Sequence, residues 1–120
     1  MADSQAVWEA VDEERLRAYL PASAVTDVYY VARRLTDLSR ARRAVQVCLD
    51  SFEIATVERL VLERAQALSG VDFEDNVQIA CAELTGLEAI VTRDADGFLG
   101  SPLPVWSPRE CLRQLQLREL

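Results

Sequence analysis

Residues 72–94, DFEDNVQIACAELTGLEAIVTRD, decide the fold of this chain. Asp72 is a favourable helix cap, and Gly86 is the residue type that commonly ends a helix. Between them the apolar side chains recur at helical spacing, namely Phe73, Val77, Ala80, Cys81 and Leu84. Residues 89–91 are apolar and suit a short buried strand. A helix that leads directly into a buried strand predicts an α/β fold.

The rest of the chain continues this alternation on both sides. Strands are predicted over residues 18–25, 52–57 and 103–106, and helices over 26–35, 38–49 and 58–68. Asp37 is a suitable cap for the helix over 38–49, and Ser107 and Pro108 predict the start of a final helix. Strands that alternate with helices favour a mostly parallel sheet covered on both faces. We therefore expect one domain over residues 1–120, built as a three-layer α/β/α sandwich.

The composition narrows the chemistry that the chain can perform. Its 120 residues are 50% hydrophobic, which suits one folded domain with a core. All 13 basic residues are arginine, and there is no histidine. This excludes lysine Schiff bases, histidine catalysis and most zinc or haem sites. The net charge of -7 argues against binding nucleic acid through a positive field over the whole surface. Carboxylates remain as the main reactive groups.

The cysteines and the hydropathy pattern bear on the compartment. Cys48, Cys81 and Cys111 are far apart and show no CxxC spacing, so they are interpreted as core thiols rather than disulfide or zinc ligands. No apolar stretch approaches the roughly 20 residues of a membrane helix, and residues 1–4 are neither basic nor followed by the hydrophobic core of a signal peptide. We expect a cytoplasmic protein without a membrane partner.

Acidic residues that could meet beyond the strand ends occur in three groups. Asp27 comes shortly after the first strand. Asp72 and Asp75 open the central helix, and Asp94 follows the buried strand. Each is also explained as a helix cap or by the helix dipole. Ligands of α/β sheets bind beyond the carboxyl ends of strands, where converging carboxylates suit Mg²⁺ or Mn²⁺. Such an ion would support phosphodiester hydrolysis.

Three motifs, in this order, resemble a PIN domain of the VapC-like ribonuclease kind. They are ASAVTDVYY at 22–30, DFED at 72–75 and IVTRD at 90–94, the last followed by Phe98. The resemblance implies a Mg²⁺- or Mn²⁺-dependent ribonuclease, often the toxin of a toxin–antitoxin pair. It implies that Asp27, Asp75 and Asp94 are catalytic metal ligands, with Asp72 as a further metal ligand close by and Thr92 as a substrate-binding residue.

The chain departs from the family pattern at three points. Members usually begin with a central strand that ends in a metal-binding Asp, and this sequence starts after that element. Asn76 stands where a small apolar residue is usual, and Gly97 stands where many members carry an acid. We expect the missing strand to weaken or abolish catalysis. We also expect it to leave sheet edges that favour a homodimer or a domain-exchanged oligomer.

A cluster of arginines lies beside Tyr29 and Tyr30. Arg33 and Arg34 could contact RNA phosphates, or they could form a solvated helix face or a surface for a partner protein. Two functions therefore stay open. One is a metal-dependent ribonuclease with RNA as substrate and an antitoxin protein as partner. The other is a non-catalytic PIN-like module that binds a protein or RNA.

Overall fold

The computed structural model describes residues 2–120 and alternates helices with short strands. The helices are α1 (Ala2–Asp12), α2 (Ala22–Leu35), α3 (Leu38–Ser51), α4 (Arg59–Ala67), α5 (Phe73–Thr85) and α6 (Pro108–Arg118). The strands are β1 (Tyr19–Pro21), β2 (Glu53–Ala55), β3 (Ile90–Val91) and β4 (Val105–Trp106). A short 3₁₀ helix, Ala95–Phe98, follows β3.

The strands pair in parallel, which confirms the α/β prediction. In the β1–β2 pair Leu20 lies opposite Ile54. In the β3–β4 pair Ile90 lies opposite Val105. Within residues 2–120 these pairs form two separate two-stranded sheets.

The chain divides into two compact units. Residues 17–56 contain β1, α2, α3 and β2, and are called the α2 unit. The remaining described residues contain α1 and all elements from α4 onward, and are called the α5 unit.

Helix α2 begins earlier than the sequence pattern indicates. A strand was expected over residues 18–25, but it ends at Pro21 and the helix starts at Ala22. Pro21 has φ −60° and ψ 144°, so it leaves the strand and enters the helix at a point where a backbone N–H is not needed. The small apolar residues 22–25, which favour a strand in the sequence pattern, are also compatible with a helix. Within this first turn the Thr26 hydroxyl donates to the Ser23 carbonyl over 2.7 Å. This part of the strand prediction is wrong.

Side-chain caps set the starts of three helices as the sequence predicts. Asp37 accepts from the Arg40 amide at the start of α3 over 2.8 Å. At the start of α5 Asp72 accepts from the Asp75 amide. At the start of α6 Ser107 accepts from the Glu110 amide over 3.1 Å. Each cap satisfies an amide that the helix itself leaves unbonded.

Helix α5 is the buried centre of its unit. Ile79 and Ala82 pack with Ile90 and Phe98 into one apolar cluster. The predicted stripe is correct at Val77, Ala80 and Cys81, which are buried, and wrong at its two ends, since Phe73 and Leu84 are exposed. The stripe shifts because Ile79 and Ala82 also face the core, so α5 is buried on more than one side. Gly86 ends the helix with φ 78°, a conformation that favours glycine.

An ion pair joins α5 to the preceding helix, α4. The Arg64 guanidinium on α4 donates to the Glu83 carboxylate on α5 over 2.7 Å and 3.2 Å. This two-point contact holds the pKa of Glu83 below its usual range.

The three cysteines are buried thiols, none of them in a disulfide, as the sequence indicates. Burial raises the pKa of each thiol. Cys48 lies in the α2 unit, and Cys81 and Cys111 lie in the α5 unit. No helix of residues 2–120 has both the length and the apolar character needed to cross a membrane.

Candidate functional site

The carboxyl end of β3 runs into a turn that is fixed by its own side chains. The Thr92 amide donates to the Trp106 carbonyl over 2.9 Å, which ties the end of β3 to β4. The Thr92 hydroxyl then accepts from the Asp94 amide over 3.1 Å. Asp94 Oδ1 accepts from the Asp96 amide over 3.2 Å and caps the 3₁₀ helix. Thr92 and Asp94 therefore have defined places immediately after the strand.

The first turn of α5 supplies two further acids. Asp72 Oδ1 accepts from the Asp75 amide over 3.2 Å, so Asp72 is the helix N-cap. This hydrogen bond is the structural explanation that the sequence already offered for Asp72. Asp75 lies in the same turn, and within residues 2–120 its side chain does not cap a backbone amide.

The Asp75 carboxylate lies against the backbone of Gly97. A β-carbon at residue 97 would collide with Asp75 Oδ2 and would stand 3.0 Å from Asp75 Cγ. Among residues 2–120 no hydrogen bond reaches this carboxylate. Partial burial raises the pKa of Asp75, and the negative charges of Asp72 and then Asp94 raise it further. Three of the predicted acids are therefore in one electrostatic neighbourhood.

Asn76, the residue after Asp75, also packs against a glycine, and its contact holds the segment before α5 in place. Asn76 is 4% exposed, and its Nδ2 donates to the Gly70 carbonyl over 2.8 Å. A β-carbon at Gly70 would collide with Asn76 Oδ1. That oxygen is buried and has no hydrogen-bond partner within the described chain. Asn76 thus fastens the segment before α5 to the helix, which accounts for a polar residue at a buried position.

Whether these residues suit a divalent cation depends on donor chemistry and donor number. Carboxylate oxygens are the ligands that Mg²⁺ and Mn²⁺ prefer, and like charges held near Asp75 are stabilised by a cation. In residues 2–120 no three acidic or cysteine side chains are grouped closely enough to hold a metal ion. Mg²⁺ often uses only one or two protein carboxylates and keeps water and substrate phosphate as its other ligands. Asp75 and Asp94 fit that smaller requirement.

The other predicted site residues belong to the α2 unit. Asp27 is exposed on α2 and borders a shallow apolar depression with Val28, Val31 and Ala32. Arg33 and Arg34 are exposed in the last turn of α2. The structure therefore groups Thr92, Asp72, Asp75 and Asp94 in one unit, and holds Asp27, Arg33 and Arg34 in the other.

Sequence reasoning missed the roles of Gly97 and Gly70. Gly97 stood out only as a departure from the family pattern, and Asn76 did so too. Neither departure by itself indicates which side chain meets which glycine. The contacts depend on how the 3₁₀ helix and the segment before α5 pack on the first turn of that helix.

Comparison with protein-family models places the chain beside a known family. The family model described as PIN domain matches residues 1–96, which is most of the chain and includes all four predicted acids. No curated protein matches the chain.

Proposed function

Because this chain belongs to the PIN domain family, whose members are commonly nucleases, we propose that it is a divalent-metal-dependent ribonuclease. One observation carries the proposal. The Asp75 carboxylate lies against Gly97 beside the turn that Asp94 caps, at the carboxyl end of β3. Active sites of α/β proteins form at such strand ends.

The chain's own residues hold the two carboxylates in place. Asp72 fixes the first turn of α5, and Gly97 leaves space for the Asp75 side chain. Thr92 and the Asp96 amide hold the turn that carries Asp94. Asp75 and Asp94 would bind Mg²⁺ or Mn²⁺, and the ion would supply activation of water and compensation of charge on the scissile phosphate. Asp72 acts as the helix cap and contributes its charge.

The roles proposed for three residues of the α2 unit rest only on the family resemblance and on the pattern of arginines in the sequence. Asp27 is a predicted metal ligand, and Arg33 and Arg34 are predicted contacts to RNA phosphates. Asp27→Asn should lower cleavage at saturating RNA. Arg33→Gln and Arg34→Gln should weaken RNA binding and make it less sensitive to salt.

Cleavage of a fluorescently labelled single-stranded RNA tests the proposal. We expect cleavage with Mn²⁺ or Mg²⁺, none with excess EDTA, and a loss of about 100-fold or more in Asp75→Asn, since even residues behind a metal ligand matter 10- to 100-fold. Glu74→Gln is the matched control, because Glu74 lies in the same turn, carries the same charge and is exposed. Cleavage that survives both EDTA and Asp75→Asn would contradict the proposal.

A non-catalytic binding module is the second candidate. It is favoured by the small number of grouped donors and by the surface of α2, where Tyr30, Val31 and Leu35 are exposed beside Arg33 and Arg34. Exposed apolar side chains beside arginines are common at protein interfaces. This candidate predicts no cleavage with any divalent ion, together with binding that Asp75→Asn leaves unchanged.

A toxin role with an antitoxin partner is a finer proposal that rests on the VapC-like resemblance. Expression of the chain in a bacterial host should then arrest growth, and Asp75→Asn should relieve the arrest. The expected homodimer or exchanged oligomer is tested by size-exclusion chromatography with light scattering. A monomer at micromolar concentration would contradict it.

A further inference from the structure

Gly97 is solvent-exposed, and yet a neighbouring side chain restricts it. We infer that Gly97 is a positioning residue, whose missing side chain allows the Asp75 carboxylate to lie against the 3₁₀ helix. A β-carbon at residue 97 would meet Asp75 Oδ2 and Cγ together, the latter at 3.0 Å. Contacts this close require one of the two groups to move.

Backbone conformation does not explain this glycine. Gly86 is the glycine of the described chain with a positive φ, at 78°, and Gly97 does not share that conformation. An alanine at residue 97 is therefore acceptable to the backbone and is opposed only by the Asp75 side chain. The requirement for glycine comes from packing.

The Asp75 carboxylate is the group that would have to move. The first turn of α5 is held by the Asp72 cap and by the buried Asn76 and Val77, so the helix cannot easily shift. Phe98 is buried in the apolar cluster with Ile79 and Ile90 and anchors the 3₁₀ helix there. With both backbones held, relief comes from rotation of the Asp75 side chain away from residue 97 and from its place near Asp94.

The decisive experiment is a double-mutant cycle on the metal-free chain. Gly97→Ala should lower the Tm by about 5 °C in the wild-type background, as expected for a small overpacking cost in a domain of this size. In the Asp75→Ala background the same substitution should lower it by no more than about 1 °C, because the colliding carboxylate is gone. If Gly97→Ala alone fails to fold, recovery of folding in the double variant gives the same answer.

Two glycines serve as controls. A β-carbon at Gly100 would meet only Ser69 Oγ, at 3.6 Å, so Gly100→Ala should be neutral in both backgrounds. Gly86→Ala places alanine at positive φ with nothing within 4 Å, so it should lower the Tm without touching Asp75. A Gly97→Ala cost that persists in the Asp75→Ala background, or that equals the Gly100→Ala cost, would overturn the inference.

A second readout rests on the proposed function and separates positioning from general destabilisation. Mn²⁺ affinity, measured by calorimetry, should fall about 10-fold in Gly97→Ala and stay unchanged in the destabilised Gly86→Ala. Equal affinities for wild type and Gly97→Ala would overturn the positioning role. A wild-type chain that binds no Mn²⁺ would contradict the metal-dependent function, and the stability cycle would still decide the role of Gly97.

Discussion

Asp75 and Asn76 are consecutive residues of α5, and both pack against a glycine, yet their surroundings are opposite. Asn76 is buried and hydrogen-bonded to the Gly70 carbonyl. Asp75 has a carboxylate without a hydrogen bond in the described chain, close to the charges of Asp72 and Asp94. One contact fastens a segment to a helix. The contact of Asp75 with Gly97 instead leaves a carboxylate without a hydrogen bond from the described residues beside two other acids, which lowers the stability of the folded chain.

The largest effect is expected when a charge is placed at the buried residue 76. Asn76→Asp should cost about 3 kcal/mol or more at pH 7, because it buries a carboxylate beside a carbonyl oxygen. The loss should shrink as the pH falls towards about 4, because burial raises the pKa of the introduced carboxyl and the folded chain binds its proton there. Urea unfolding at both pH values measures it. A cost below about 1 kcal/mol at pH 7 would show that residue 76 is not the structural partner described here.

Truncation of the same side chain should have a smaller effect. Asn76→Ala should cost about 2 kcal/mol, since it leaves the Gly70 carbonyl without its donor. Gly70→Ala should also destabilise, through its collision with Asn76. The double variant Gly70→Ala/Asn76→Ala should cost less than the two single changes added together. Strict additivity in chemical denaturation would contradict the contact.

Asp72 separates capping from charge at the start of α5. Asp72→Ala should cost about 1 kcal/mol, and Asp72→Ser should cost much less because serine also caps helices well. Both variants should keep metal-dependent RNA cleavage, since Asp72 acts here as a cap. Loss of cleavage in the stably folded Asp72→Ser variant would restore the predicted role of Asp72 as a metal ligand.

The smallest expected effect is a gain of stability at Asp75. Its pKa is raised in the folded chain, so the folded state binds this proton more tightly than the unfolded state does. Stability is therefore lost as the pH rises from about 4 through that raised pKa. Asp75→Asn should add less than about 1 kcal/mol at pH 7 without metal, and nothing at pH 3. Equal gains at both pH values in thermal melts would contradict an ionisation effect.

Local chemistry explains which parts of the fold were predictable. Asp37, Asp72, Ser107 and Gly86 act through hydrogen bonds or backbone angles within a few residues, and the sequence pattern located each of them. The start of α2 was missed because small apolar residues suit both strand and helix, and Pro21 permits either continuation. The 3₁₀ helix was missed because a single short turn has no hydrophobic period.

The candidate site was predictable in its residue types and not in its contacts. The sequence analysis indicated Asp75 and Asp94, and in the α5 unit Asp75 lies in the first turn of α5 within reach of the charge of Asp94, which follows β3. Gly97 was noted only for lacking the usual acid. Its contact with Asp75 joins segments that are distant in sequence, so it follows from tertiary packing. The catalytic roles of these acids stay predictions until cleavage is measured.

The distribution of the buried thiols makes the two units separately observable. A thiol reacts with an alkylating reagent as its thiolate, and only when it is exposed, so buried cysteines of raised pKa react after local opening. Cys48 would report opening of the α2 unit, while Cys81 and Cys111 would report opening of the α5 unit. The native chain therefore carries built-in probes of whether its two units unfold together or one at a time.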